Sequence, residues 1–274
     1  MIEKKPVLKI KHLNLSVDTG VFEKQILRDI NLEIGPQEHW AIAGESGAGK
    51  SMTMYALTSL LPEKNTKISG EILYMEKDGS YTDILKLPFE KRVAYCSGKV
   101  SLIFQDSINA LNPFEKIQKQ WWETTALHHP EMKKKEMTEH IKERLKLFGI
   151  QDEDVLKKYP HQLSGGMRQR IAIAMALEAD NEILIADEPT TSLDAVNQRN
   201  IVNFIQKLCE KRKLTLLYIS HNLALLDEIS THAVIMKDGK IIEKGSKEAV
   251  FHFPQNSYTQ KLIRETRELI YEKR

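Results

Sequence analysis

Cysteine is nearly absent from this chain of 274 residues: Cys96 and Cys209 stand alone, neither in a C-x-x-C pair nor beside histidines at ligand spacing. That usage excludes a disulfide framework, a zinc ribbon and an iron–sulfur cluster as the basis of the fold, and it suits a reducing compartment. Long apolar runs are missing as well. No stretch approaches the ~18 residues that span a bilayer, and the opening Met1-Ile2-Glu3-Lys4-Lys5-Pro6 has no apolar core of the signal-peptide kind. The expectation is a chain that is soluble, or held at a membrane only through a partner. Nor does one sign of charge dominate. Forty basic residues stand against 38 acidic ones for a net charge of +2, so the strongly basic face of a nucleic-acid binder is not there. The densest basic run, Lys133-Lys134-Lys135, fits a solvated helix face.

What the chain does have is a stretch that organises the rest: Gly44-Glu45-Ser46-Gly47-Ala48-Gly49-Lys50-Ser51, a gapless match to G-x-x-x-x-G-K-S. Before it, residues 38–43 are short, largely apolar and bounded by Gly35-Pro36, which predicts a buried strand; after it, residues 52–61 read as a helix stopped by Pro62. Strand, loop and helix are the context this motif needs. Successive backbone N–H groups in such a loop turn inward onto phosphate oxygens, and the helix N-terminus adds partial positive charge. Lys50 is the candidate to reach β- and γ-phosphates, and the Ser51 hydroxyl is the candidate Mg²⁺ ligand. The competing reading of eight such residues alone is a Gly/Ser-rich turn that caps a helix.

The remaining texture is mixed. Residues 7–17 and 26–34 alternate as two strands around the polar Asp18-Thr19-Gly20, with Phe22 in the connection. Residues 67–74 and 81–85 read as a hairpin through Glu76-Lys77-Asp78-Gly79, so the early chain is more antiparallel than a simple βαβ fold. A strand over 99–104 leads to Gln105, after which the sequence is charged and helix-forming to about Tyr159. There Met137, Ile141, Leu145 and Phe148 form one apolar stripe that Gly149 stops, and Trp121-Trp122 read either as ordinary core aromatics or as a partner surface. A helix over 167–179 follows, with Ser164 as N-cap. Strands over 182–186 and 214–219 end in Asp187-Glu188 and Ser220-His221, on either side of a helix over 195–211; a hairpin over 233–236 and 240–244 and a helical tail complete the chain.

Polar residues at the carboxyl ends of buried strands mark the ligand edge of an open α/β sheet. Asp187 is the candidate to hold Mg²⁺ through a bound water, and Glu188 the candidate base that polarises the water attacking the γ-phosphate. Gln105, at its own strand end and at the join to the helical region, suits contact with Mg²⁺ or that water; His221 suits donation to the γ-phosphate. Leu163-Ser164-Gly165-Gly166-Met167 opens a second helix N-terminus toward an anion. With one phosphate loop per chain, it makes most sense over the nucleotide of another subunit.

The ordered set of residues 44–51, Gln105, 163–167, 183–188, Ser192-Leu193-Asp194 and His221 resembles the ATP-binding subunit of an ABC transporter, from about Leu8 to Leu262. Ser101-Leu102-Ile103-Phe104-Gln105-Asp106, Ala110-Leu111-Asn112-Pro113, Tyr159-Pro160-His161-Gln162 and Phe253-Pro254-Gln255-Asn256-Ser257-Tyr258-Thr259 are similar to the ATPases of oligopeptide, dipeptide and nickel importers. Ser107 stands where that family commonly has proline, and the tail lacks the extra cysteines of some longer members. The resemblance implies a P-loop NTPase of the ABC ATPase fold, α/β with an antiparallel β subdomain and an inserted helical subdomain. The expected division is an ATPase domain over 7–262, with core segments 7–105 and 164–245 and a helical insert over 106–163, and a tail over 246–274. It implies ATP and Mg²⁺, bound by Gly44 through Met52, Ser164, Gly165, Gly166 and Asp194, with Asp194 linking two sites across a dimer. Phe22 is the candidate to stack on adenine, plain packing being its alternative. The implied partners are a second ATPase subunit, membrane-spanning permease subunits and, indirectly, an extracytoplasmic binding protein, with the chain peripheral on the cytoplasmic face of the membrane. The rival from another class is a soluble ATPase of the same fold acting on nucleic acid or the ribosome; those chains often carry tandem cassettes, long coiled-coil inserts or basic tracts.

Overall fold

A strand with apolar side chains on both faces is stable only between two covering layers. The computed structural model describes residues 5–104, 111–179, 181–190 and 194–271. In it β3 (His39–Ala43), β7 (Ile183–Asp187) and β8 (Thr215–Ile219) are buried at every position. They form the middle of a six-stranded sheet in the order β10 (Lys240–Ser246), β9 (His232–Lys237), β3, β8, β7, β6 (Val100–Ile103). All neighbours are parallel except the β9–β10 hairpin.

Alternation along these strands divides the core in two. Ala41, Ala43, Leu184, Ala186, Leu216 and Tyr218 point into one cluster, which holds the helices of the insert and of the second half of the chain. Trp40, Ile42, Ile183, Ile185, Leu217 and Ile219 point into the other. That layer is closed by α1 (Lys50–Thr58) and by an antiparallel sheet in the order β2 (Glu23–Ile34), β1 (Leu8–Asp18), β4 (Thr66–Met75), β5 (Tyr81–Asp83). Both cysteines are free and buried.

The helical insert contains α3 (Ile117–His128) and α4 (Lys134–Leu147). The stripe Met137, Ile141, Leu145 and Phe148 is buried, and Lys133 to Lys135 are exposed. Helix α4 ends in a paired cap: Ile150 N donates to Leu145 O (2.9 Å) and Gly149 N to Lys146 O (3.1 Å). Trp121 is fully buried and belongs, with Ile117, Ile141 and Leu145, to the same cluster as β7 and β8. The tryptophan pair thus resolves to core packing for Trp121, while Trp122 is partly buried against that cluster.

Several boundaries differ from the sequence reading. Helix α1 stops at Thr58, three residues short of Leu61, because Ser59 turns left-handed (φ 57°) and Pro62 disfavours helix in the residue before it. Past Asp83 the chain makes a 3₁₀ turn, Ile84–Lys86, whose Leu85 N–H is accepted by the Asp83 side chain. Helix α5 (Gly165–Ala176) ends before Ala179. Two helices are additional: α2 (Phe89–Ser97), between Pro88 and Gly98, and α7 (Leu223–Ile229), capped by Asn222. Helices α6 (Ala195–Arg212) and α8 (Ser257–Tyr271) complete the chain.

Because the insert shares its core with the central sheet, Leu145→Ala is expected to lower stability by about 2–5 kcal/mol and to shift one common urea transition seen by far-UV and tryptophan signals. An early transition confined to the insert would contradict a shared core.

Candidate active site

Parallel pairing brings the ends of β3, β8 and β7 into line, with Ile42 opposite Ile219 and Ile219 opposite Asp187. The loop 44–51 leaves β3 at this edge. Gly44 has φ 145°, and a Cβ there would lie 2.2 Å from the Met236 carbonyl oxygen on β9. A Cβ at Gly49 would lie 2.7 Å from Leu27 Cδ2. The β9–β10 turn grips the loop from outside: Gly239 N donates to Ala48 O (3.1 Å), and Arg28 N donates to Gly239 O (2.8 Å). Helix α1 then begins at Lys50 with no side-chain cap and no acidic residue in its first turn, so its N–H groups and dipole face the loop.

Lys50 is buried, and its Nζ donates to Gly44 O (2.8 Å) and Glu45 O (2.9 Å). Burial lowers its pKa, while the charges of Glu188 and Asp187 act in the opposite direction. Asp187, the last residue of β7, is 2% exposed, and its Oδ1 has no hydrogen-bond partner among the described residues. Burial raises its carboxyl pKa; the Ser51 hydroxyl lowers it, the Glu188 charge raises it and the Lys50 charge lowers it. A buried carboxylate oxygen without a donor, beside a serine hydroxyl, fits a hard divalent cation such as Mg²⁺.

Glu188 takes a left-handed backbone (φ 45°), which a side-chain-bearing residue adopts only when its surroundings hold it there. Its N–H donates to Ile219 O (3.0 Å), and its Oε2 lies 3.4 Å from His221 Nδ1. The histidine ring is largely exposed and the carboxylate mostly covered. Beyond Glu188 the loop is tied down by residues outside the sequence-derived set. Buried Gln169 on α5 donates its Nε2 to Pro189 O, and Gln198 on α6 donates to Thr190 O (3.1 Å). Gln169 stands between Arg168 and Arg170, so nothing in the local sequence marks it.

Ser164 caps α5, its Oγ accepting from Met167 N at 3.3 Å. A Cβ at Gly165 or Gly166 would meet nothing within 4 Å among the described residues, so their packing does not require glycine at either position. Ser164 and Gly166 border a hollow with Gly149 and Asp152 that includes no residue of the loop 44–51. Asp194 is exposed and caps α6, accepting from Val196 N and Asn197 N at 3.0 Å each. Phe22 lies on the exposed turn between β1 and β2 at 61% exposure, so its ring is not part of the core. Met52 packs on the core beneath the antiparallel sheet. Gln105, with Asp106, Ser107, Ser192 and Leu193, lies outside the described residues.

The family model described as ABC transporter matches residues 27–191. The chain is 37% identical over 259 residues to the dipeptide transport ATP-binding protein DppD of Bacillus subtilis, covering 94% of this chain and 76% of that one. It is 33% identical over 258 residues to the metal-staphylopine import system ATP-binding protein CntD of Staphylococcus aureus, covering 94% and 92%. Among solved structures, it is similar to a dimeric post-hydrolysis state of the ATP-binding cassette MJ0796 bound to ADP and Pi, with a TM-score of 0.72 and 25% identity over 88% of this chain and 98% of the other.

The two exposed and buried ends of the loop should respond differently to a methyl group. Gly47→Ala is expected to cost about 1–2 kcal/mol, the left-handed backbone alone, because no described residue lies within 4 Å of its Cβ position. Gly44→Ala is expected to cost clearly more, since the Met236 strand must move; thermal unfolding without nucleotide measures both, and equal shifts would contradict the steric account.

Proposed function

We propose that this chain, which belongs to the ABC transporter family, is the ATP-hydrolysing subunit of an importer that takes up peptides or metal chelates through separate membrane-spanning subunits. The observation that carries the reading is the meeting, at one sheet edge, of a buried lysine in a glycine-bound loop, an orphaned carboxylate and a Glu188–His221 pair. The dipeptide, oligopeptide and metal-staphylopine relatives support the cargo class and favour import over action on nucleic acid.

The roles follow from the geometry. Backbone N–H groups of 44–51 and the start of α1 bind phosphate oxygens. Lys50 exchanges its two carbonyl partners for the β- and γ-phosphates, a trade favoured by its burial. Ser51, Asp187 and Gln105 are the residues that would hold Mg²⁺ or its waters, and the ion would supply neutralisation of phosphate charge. Glu188 accepts a proton from the attacking water at its carboxylate. His221, held 3.4 Å from Glu188, donates to the γ-phosphate.

In the same reading Ser164, Gly165 and Gly166 cover the nucleotide of a second ATPase subunit, whose own segment covers this one. The bare glycines leave room for that approach. Asp194 lies at the contact between subunits, and Phe22 offers its exposed ring to adenine. The insert, 106–163, docks on the permease, beside the core segments 7–105 and 164–245 and the tail 246–274. Among the described residues no helix is long and apolar enough to cross a membrane, so the permease provides the place at the cytoplasmic face, and an extracytoplasmic binding protein delivers cargo to it.

Glu188→Gln is expected to leave ATP binding in place and to lower kcat by about 10² or more. Returned to a deletion strain, it should fail to restore uptake of labelled dipeptides and nickel chelates that the wild type restores. Unchanged hydrolysis would remove Glu188 as the base, and wild-type restoration of neither cargo would remove the import reading.

A further inference from the structure

We propose that His129, His140 and Glu178 form a binding site for a divalent transition-metal ion of the zinc class, far along the chain from the phosphate loop and joining the insert to α5. Their donor atoms all lie within 4.8 Å of one another. Glu178 is fully buried two residues beyond the end of α5, and His140 Nε2 lies 2.8 Å from its Oε1. The two imidazole rings lie 5.3 Å apart between centroids, tilted by 58°. Two imidazoles and one carboxylate are the donor set that zinc takes where a water fills the fourth position.

The surroundings hold each donor as a metal site requires. Trp121 Nε1 donates to Glu178 Oε2 (3.0 Å) and Thr125 Oγ donates to Oε1 (2.9 Å), fixing the carboxylate. His129 is the cap of α3, its N–H bonded to Thr125 O (2.7 Å). Its Nδ1 lies 3.8 Å from the Glu131 carboxylate, beyond hydrogen-bond distance but near enough for that charge to favour a cation beside the ring. The decisive atom is His129 Nε2, which is buried and has no hydrogen-bond partner among the described residues.

A purely structural role for the cluster accounts for His140, which reaches the buried carboxylate, but leaves that nitrogen without a purpose. Arg144 donates to the Glu178 carbonyl (3.0 Å) and lies 3.4 Å from His140 Nε2 through its Nε. An ion there therefore competes with a nearby guanidinium, which favours a cation with strong affinity for imidazole over calcium or magnesium. About a fifth of each histidine side chain is exposed, so an ion has access from solvent. Bound, it would tie the end of α3, α4 and the end of α5, the helix that Ser164 starts, into one unit.

The test uses the untagged full-length protein without nucleotide, titrated with Zn²⁺ by calorimetry and with Co²⁺ by visible absorption. The expected result is one equivalent of Zn²⁺ that displaces Co²⁺ from a tetrahedral spectrum. His129→Ala and His140→Gln should each weaken that equivalent by at least about tenfold; the glutamine keeps an amide donor for Glu178, so its fold, checked by thermal unfolding, survives. Absence of the equivalent in the wild type, or wild-type affinity in either variant, overturns the proposal.

Discussion

No side chain fits between the backbone at residue 44 and the Met236 carbonyl oxygen, and the geometry of the site depends on that close approach. It presses the phosphate loop against β9, which fixes where α1 starts and therefore where Lys50 and Ser51 stand relative to Asp187. The β9–β10 turn completes the grip through Gly239, which bonds the loop and β2 at once. Nucleotide chemistry at this edge is preorganised by backbone contacts. The side chains that do the chemistry inherit their places from them.

The electrostatics follow from burial. Lys50 and Asp187 are both taken out of water, so each is pushed toward its neutral form, and each opposes that push in the other. A polyphosphate with a divalent cation answers both at once, by offering anionic oxygens to the lysine and positive charge to the carboxylate. Glu188 and His221 sit at the open rim, where one is mostly covered and the other mostly exposed. The same chain ties this rim to the insert: Gln169 holds the loop after Glu188 from α5, and α5 packs in one cluster with Trp121, Ile141 and Leu145.

Much of this was legible in the sequence because it is local. The strands β7 and β8 are apolar runs that end in polar residues, β3 is an apolar run that enters the glycine loop, and the stripe of α4 has helical spacing throughout; each element announces itself within a few residues. The antiparallel early sheet was legible for the same reason. What was not legible depends on contacts distant in sequence. Gln169 looks like any polar residue on a helix until Pro189 is placed beside it, and the left-handed turn at Ser59 shortens a helix whose composition would carry it further. Helix α2 escaped notice because its only buried residue is Cys96, so no apolar stripe marks it. Residues 129, 140 and 178 belong to three segments, and only the packing of the insert on α5 brings them together.

A Cβ at Gly165 or Gly166 would meet nothing within 4 Å among the described residues, which leaves room there for a second subunit. In the proposed reading a second ATPase subunit completes the site. The most direct measurement is ATP binding and hydrolysis per chain across dilutions whose oligomeric state is fixed by sedimentation. The account predicts that the strictly monomeric protein binds ATP and hydrolyses it poorly, with turnover rising as subunits pair. Full turnover by a strict monomer would contradict it.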